Sequence, residues 1–327
     1  MANVLVTGGA GFIGSHMVDL LINQGYSVRV LDNMIAGKQT NLSQHKNNNK
    51  LIVDERDIRA VNEKDALYKN IDYIYHFAGI GDIVPSIDSP EEYMSVNTQG
   101  TVKVCEGART NSIKKLVYAA SSSCYGIANI PTNENAEISL QYPYALSKYL
   151  GECVVLHWNK VYNLPVNVIR IFNAYGTRSK TSGAYGAVFG VFLRQKLAGQ
   201  PYTVVGNGEQ KRDFLYVTDV ANAFYKASIT EKVGEVYNLG AGNPQTVNYL
   251  VELLEGPVKY IPKRPGEPEI TWADISKIVK NLSWSPKVSF EEGVKKILAE
   301  INYWKDAPLW NEKSIEKATK SWFNNLH

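Results

Sequence analysis

Tyr144 and Lys148 stand four residues apart in the run YPYALSK, Tyr142 to Lys148. On a helix that spacing puts two side chains on one face, close enough to couple. A free phenol has a pKa of about 10, too high for a base near neutral pH, and a fixed positive charge beside it favours the phenolate. The same spacing is common on ordinary helix surfaces, so position decides. The pair follows a strand-like segment ending in AASSSCYG, whose serines, Ser121 to Ser123, fall at the strand's C-terminal end. Open α/β sheets bind ligands at that edge. Ser121 is placed there to donate to the oxygen that Tyr144 deprotonates, although serine clusters also close turns on their own backbone.

A second constellation lies at the start of the chain. TGGAGFIG sets Gly8, Gly11 and Gly14 at GxxGxxG spacing between a strand-like run, NVLVT, and a helix-like run, FIGSHMVDLLINQG. Glycines let the backbone turn tightly and approach a pyrophosphate, whose charge then sits among the unpaired N–H groups of the helix N-terminus. The spacing alone is weak. Asp32 adds weight, closing the next strand eighteen residues after Gly14, where a carboxylate can accept both hydroxyls of an adenine ribose. The same charge repels a 2′-phosphate, so NAD is favoured over NADP. Arg29 and Lys38 are the cations that could still fold over such a phosphate.

These residues need a scaffold that brings strand ends together. After NVLVT come SVRVLDN, KLIVDERD, DYIYHFAG, KKLVYAASS and PVNVIRIFN as strands, with YMSVNTQGTVKVCEGART and YALSKYLGECVVLHWNKVYN as long helices. Alternating strands and helices imply a doubly wound parallel sheet, because parallel neighbours require crossover connections. The expected fold class is α/β, a Rossmann-type sheet with a smaller α/β C-terminal substrate domain. Beyond about residue 175 the regularity weakens and Pro and Gly punctuate the chain. The expected division is residues 1–175 for the dinucleotide and 176–327 for the substrate, with a segment near 214–240 returning to the main sheet through EVYNLG.

Composition narrows the partners. Of 327 residues, 35 are Lys or Arg and 32 are Asp or Glu, without a block of like charge, so a nucleic-acid surface has little electrostatic support. Three cysteines, Cys105, Cys124 and Cys153, share no CxxC spacing, which fits reduced thiols and implies no structural metal. No run of eighteen apolar residues occurs, and no basic and apolar leader precedes NVLVTGG, so a soluble cytoplasmic enzyme without a membrane partner is expected.

In order along the chain stand TGGAGFIG, Asp32, HFAG (His76 to Gly79), SSSCYG, YALSK, RIFNAYG, KRDF and RPGEPEITWAD. With these the chain resembles an extended short-chain dehydrogenase/reductase over about residues 3 to 300. More narrowly, it resembles the NAD-dependent nucleotide-sugar epimerases related to UDP-galactose and UDP-N-acetylglucosamine 4-epimerases. The resemblance implies Tyr144 as base, Lys148 as holder of the nicotinamide ribose that also lowers the tyrosine pKa, and Ser121 as partner of the substrate hydroxyl. It implies cofactor contacts at Gly8, Gly11, Phe12, Ile13 and Gly14, at Asp32, Asn33, Asp57 and Ile58, and at Phe77, Ala78 and Gly79. Asn173, Arg212, Arg264 and Glu267 match residues that grip the diphosphate and nucleoside, a role suited to guanidinium forks. Gly81, Asp82, Ser122, Ser123, Val205 and Thr271 match positions around the sugar and base.

The reaction so implied is C4 inversion of UDP-glucose/UDP-galactose or their 2-N-acetyl forms through a bound 4-keto intermediate, without net redox. Sugar 4,6-dehydratases and related decarboxylases carry an acid two residues before the YG tyrosine; here that residue is Ser123. Cys124 directly precedes Tyr125 and is expected to be a packed thiol rather than an acid/base group. A reductase, or inversion at another carbon, stays open, as does a non-catalytic NAD-binding protein, against which the intact Ser121, Tyr144 and Lys148 set argues. Thr271 stands where narrow-specificity relatives carry a tyrosine, which implies room for 2-N-acetyl sugars. Asp82 either faces the sugar, where it would repel a uronate, or faces solvent. The two long helices carry more apolar residues than one buried face requires, and the resemblance implies a homodimer through a four-helix bundle.

Overall fold

Seven parallel strands form the central sheet of the computed structural model, which describes residues 2–179, 188–263 and 266–326. Six of them are β1 (Asn3–Thr7), β2 (Ser27–Leu31), β3 (Leu51–Asp54), β4 (Tyr73–His76), β5 (Lys115–Ser121) and β6 (Val166–Ile171). The seventh, Glu235–Leu239, pairs in parallel with β6 from Glu235 opposite Asn167 to Leu239 opposite Ile171. The strand order is 3-2-1-4-5-6 followed by this returning strand. The order reverses beside β1, and the crevice at such a switch point is where open α/β sheets take ligands.

Period-2 alternation along the strands sorts their side chains into two cores. Val4 and Val6 of β1 join Val28, Val30 and Tyr75 beneath α1 (Phe12–Asn23) and the helix Val217–Ile229. Leu5 points the other way, with Leu31, Ile74, Leu116 and Tyr118. That face is covered by α4 (Gly100–Thr110) and α5 (Pro143–Tyr162), which are preceded in the chain by the short helices α2 (Ile83–Asp88) and α3 (Pro90–Met94). Burying each Val, Leu or Phe contributes roughly 1.5–3 kcal/mol, so the sheet is held from both sides.

The expected single helix over YMSVNTQGTVKVCEGART is interrupted. Ser95–Gln99 between α3 and α4 is a π turn, a widening often found at functional sites. It carries Asn97, whose amide accepts from the N–H of Ile80 at 2.9 Å and donates to the Ile80 carbonyl at 3.0 Å and to Ser147 Oγ at 2.9 Å. One buried amide thereby ties the segment after β4 to α5.

Beyond β6 the strands are short and paired in twos. Asn173–Tyr175 lies beside Phe214–Tyr216, Lys211–Arg212 beside Gln245–Thr246, and Tyr202–Val205 beside Val258–Ile261. A third, largely aromatic core gathers here around Tyr175, Phe189, Phe192, Phe214, Phe290 and Trp304.

Candidate active site

β1 delivers the chain into the glycine turn. Gly8 adopts a left-handed φ of +69° and donates its N–H to Leu31 O at 2.8 Å. A Cβ on Gly14 would lie 2.1 Å from the Gly8 carbonyl oxygen, so only glycine lets α1 start this close to β1. α1 opens with no side-chain cap and no acid in its first turn, which leaves its N-terminal N–H groups as donors for an anion.

Asp32 follows β2 and is buried, 7% exposed. Its carboxylate accepts from the N–H of Ala10 and of Met34, both at 2.9 Å. Burial pushes its pKa up while these backbone donors pull it down. Each carboxylate oxygen keeps further acceptor capacity, which suits a ribose diol. Asn33 donates to Asp57 at 2.9 Å. Arg59 pairs with Asp57 at 2.8 Å and is the main cause of its pKa falling to about 2.

A cavity of about 580 Å³ runs along the C-terminal strand edge and unites most of the residues singled out in the sequence. Gly8, Gly11, Phe12, Ile13 and Gly14 line it, as do Asp32, Asn33, Asp57 and Ile58. Phe77, Ala78, Gly79, Gly81 and Asp82 continue the wall, and Ser121, Tyr144 and Lys148 complete it. The volume lies within the range of cofactor sites. A Cβ at Gly81 would come 4.0 Å from Tyr144 Oη, which places this glycine beside the phenol. Tyr142 stacks parallel to Tyr144, with centroids 6.4 Å apart and 4° between planes, and Tyr93 meets it edge-on at 6.3 Å.

Electrostatics depart from the simplest expectation. The Tyr144 phenol lies above its ordinary value: burial raises it, the Ser121 hydroxyl lowers it, and Asp82 and Cys124 raise it further. Lys148 is 8% exposed, and burial pulls its pKa down to about 7 against the opposing charge of Glu152. At neutral pH it therefore carries only part of a positive charge to lend to Tyr144. Behind it, His76 is fully buried between Thr7 Oγ1 (2.7 Å) and Thr101 Oγ1 (3.0 Å). Burial and the Lys148 charge hold His76 near 3, a neutral spacer at working pH.

The serine cluster serves two purposes. Ser121 Oγ accepts from the N–H of Ser123 at 3.2 Å, capping the turn Ser122–Tyr125, and lies 2.8 Å from Ser123 Oγ. Ser121 alone of the three lines the cavity. Cys124 is 1% exposed, and burial pushes its thiol up to about 12, a packed thiol rather than a proton carrier. Among the described residues no cluster of His, Cys, Asp or Glu could hold a metal ion.

The second group of expected residues is not among those lining this cavity, although Phe172 and Ala174 on either side of Asn173 are. Arg212 pairs with Glu267 at 2.8 Å, and Glu267 lines another cavity of about 770 Å³. Thr271 Oγ1 donates to Asn173 Oδ1 at 2.7 Å and accepts from the N–H of Asp213 at 3.3 Å. Val205 is 9% exposed inside the third core and lines neither cavity. Its strand, Tyr202–Val205, is buried at every position and pairs with Val258–Ile261, so Val205 serves packing. Arg264 lies outside the described residues. Arg29 does not face the cavity, since its guanidinium donates to the carbonyls of Ala66, Leu67 and Lys69. Lys38 does, with Nζ 5.0 Å from the centroid of Tyr303.

Arg178 and Tyr303 line the cavity without having been singled out from the sequence. Arg178 has a left-handed φ of +61° and is held by Asp19 of α1 at 2.8 Å. Its Nη1 is buried and has no hydrogen-bond partner among the described residues. An orphaned guanidinium nitrogen beside a glycine cradle fits a diphosphate. The available signal was the Gly176–Arg178 turn directly after RIFNAY, but Asp19 lies 159 positions earlier.

A sequence profile of the NAD dependent epimerase/dehydratase family matches residues 4–240. The chain belongs to this family. Among relatives of this epimerase/dehydratase chain is a putative UDP-glucose 4-epimerase of Methanocaldococcus jannaschii, 34% identical over 90% of this chain and 97% of the relative. Its fold is shared by a UDP-N-acetylglucosamine 4-epimerase of Methanobrevibacter ruminantium solved with UDP-N-acetylmuramic acid, with TM-score 0.86, 32% identity and coverage of 91% and 99% of the two chains. A UDP-glucuronic acid 4-epimerase of Bacillus cereus, solved with UDP-glucuronic acid and NAD, superposes with TM-score 0.85 at 29% identity, covering 92% and 99%. The cradle, Asp32 and the Tyr144–Lys148 pair line the same cavity. No described helix of this family member is long and apolar enough to cross a membrane.

Proposed function

We propose that the protein inverts C4 of a UDP-hexose, UDP-glucose/UDP-galactose or their 2-N-acetyl forms, with NAD held between turnovers. The observation that carries this reading is the meeting of Ser121, Tyr144 and Lys148 with the glycine cradle and Asp32 in one cavity. Bound NAD would supply a reversible hydride acceptor for the sugar carbon. Gly8, Gly11 and the N-terminus of α1 hold its diphosphate with Arg178, Asp32 holds the adenine ribose, and Lys148 holds the other ribose. Tyr144 takes the C4 hydroxyl proton and gives it back, and Ser121 keeps that oxygen in line. The protein's own groups leave the phenol above its ordinary value, so the base is primed only when a cation sits beside it.

Residues 1–175 with the returning segment near 214–240 carry the cofactor in this reading, and 176–327, joined by Asn173 from the first division, carry the nucleotide sugar through Arg212, Arg264 and Glu267. A small residue at Thr271, held by Asn173, supports acceptance of N-acetyl sugars. Asp82 shares the cavity with Tyr144 and pushes its pKa up, which argues against a uronate by charge repulsion. The exposed stripe Leu150, Cys153, His157 and Val161 on α5 supports a homodimer through paired helices, checked by sedimentation before and after Leu150→Glu. Incubation of the purified protein with UDP-glucose, UDP-N-acetylglucosamine and UDP-glucuronic acid, read by proton NMR, tests the reaction. C4 inversion of the first two without added cofactor is expected. Strict dependence on added NADPH, or reduced sugar as product, sinks the assignment.

A further inference from the structure

The last helix, Glu312–Asn325, lies beyond the residues that the family profile matches. It is built to dock. Asn311 and Ser314 form a capping box, and Ile315, Thr319 and Trp322 are buried at spacings of four and three residues, which is one helical face. The helix packs against α2, the element that begins directly after Gly81 and Asp82.

Trp322 is 5% exposed and its ring lies 6.3 Å from that of Tyr142. Tyr142 in turn stacks on Tyr144. The Tyr142 hydroxyl is pushed up by burial, with Tyr144 and then Glu267 raising it further. Tyr142 is also the residue that caps α5, and it makes no side-chain capping bond there. Trp322 and Tyr144 both pack against its ring. The neighbouring Phe323 is 43% exposed and lines the 770 Å³ cavity with Glu267, Ile270 and Ile127.

We infer that this helix is a wall of the substrate site. Trp322 is a positioning residue that holds Tyr142 against Tyr144, and Phe323 is an apolar contact for a nucleotide sugar entering beside Glu267. The inference rests on the nucleotide-sugar reading and adds to it an element that sets substrate affinity from the far end of the chain.

The test uses the NAD-loaded full chain with Trp322→Ala, Trp322→Phe and Phe323→Ala. Four readouts apply: bound-dinucleotide absorbance, thermal unfolding, KM and kcat across pH, and calorimetric titration with UDP. Trp322→Ala is expected to keep its NAD, to raise KM about tenfold and to displace the pH profile of kcat, while Trp322→Phe returns both to near the wild-type values. Phe323→Ala, altering an exposed ring, is expected to weaken UDP binding and raise KM roughly fivefold at unchanged melting temperature. Both alanine variants within twofold of wild type in KM, UDP affinity and pH profile overturn the inference. If Trp322→Ala does not fold, an unchanged Phe323→Ala overturns it alone. Wild-type protein that turns over none of the sugars, yet loses UDP affinity on Phe323→Ala, defeats the reaction and leaves the wall standing. Normal turnover indifferent to both variants does the reverse.

Discussion

Lys148 Nζ lies 4.3 Å from the centroid of the Tyr118 ring, and Tyr118 in turn donates its hydroxyl to the Lys148 carbonyl at 3.2 Å. The aromatic face offers some compensation for lost water, yet burial still brings the amine down to about 7. A lysine whose folded pKa is depressed binds fewer protons than the unfolded chain between about pH 7 and 10.5. Stability contributed by this site therefore rises with pH through that window, and the full penalty is present below it. Cofactor-free Lys148→Met is expected to melt above wild type at pH 6, with the gap closing towards pH 10. Melting curves across that range check this; a gap that widens with pH would refute the buried-amine account.

Tyr144→Phe keeps the ring and its stacking on Tyr142 but removes the proton acceptor. General acid–base catalysis is worth roughly 10²–10⁴-fold, so kcat is expected to fall by about 10³ while bound NAD stays stoichiometric. Ser121→Ala should cost less, roughly two- to tenfold, because one neutral hydrogen bond is lost. Steady-state kinetics with absorbance of the bound dinucleotide separate these effects.

Arg178, held by Asp19, lines the cavity of the glycine cradle and keeps one buried guanidinium nitrogen without a hydrogen-bond partner among the described residues. Arg178→Leu removes a charged hydrogen bond worth about 1.5–3 kcal/mol, so the dissociation constant for NAD is expected to rise by roughly ten- to a hundredfold. Calorimetry on cofactor-stripped protein measures it. Affinity unchanged within twofold removes Arg178 from the site.

Arg170 and Glu152 form a salt bridge at 2.5 Å, 7% and 2% exposed. Tyr125 extends it, accepting from Arg170 at 2.6 Å and donating to Asn238 at 2.7 Å. Breaking a buried pair strands the remaining charge, at a cost of about 3–5 kcal/mol. Arg170→Met is expected to lose that much stability in urea unfolding, and the further change Glu152→Gln should recover part of it.

Much of the fold could be read from local patterns, because each feature expresses itself within a few residues. Apolar runs bounded by glycine and polar turns marked β1 to β6, and only glycine tolerates the contacts made at Gly8 and Gly14. The π turn at Ser95–Gln99 escaped, since the run around it has ordinary helical periodicity and the widening answers to Asn97 reaching Ile80. Val205 escaped similarly: a valine in a short strand reads alike whether it faces a ligand or a core.

By itself the sequence determined the parallel sheet, the glycine cradle with Asp32, and the Ser121, Tyr144 and Lys148 set, all of them short-range spacings repeated along the chain. Tertiary structure alone decided the rest. It set the protonation of Tyr144 and Lys148 through burial, and brought Arg178 to the cofactor cavity by way of Asp19. It also seated Trp322 against Tyr142 across 180 positions of chain. Desolvation and long-range contact depend on what surrounds a side chain in space, and no spacing along the backbone encodes that directly.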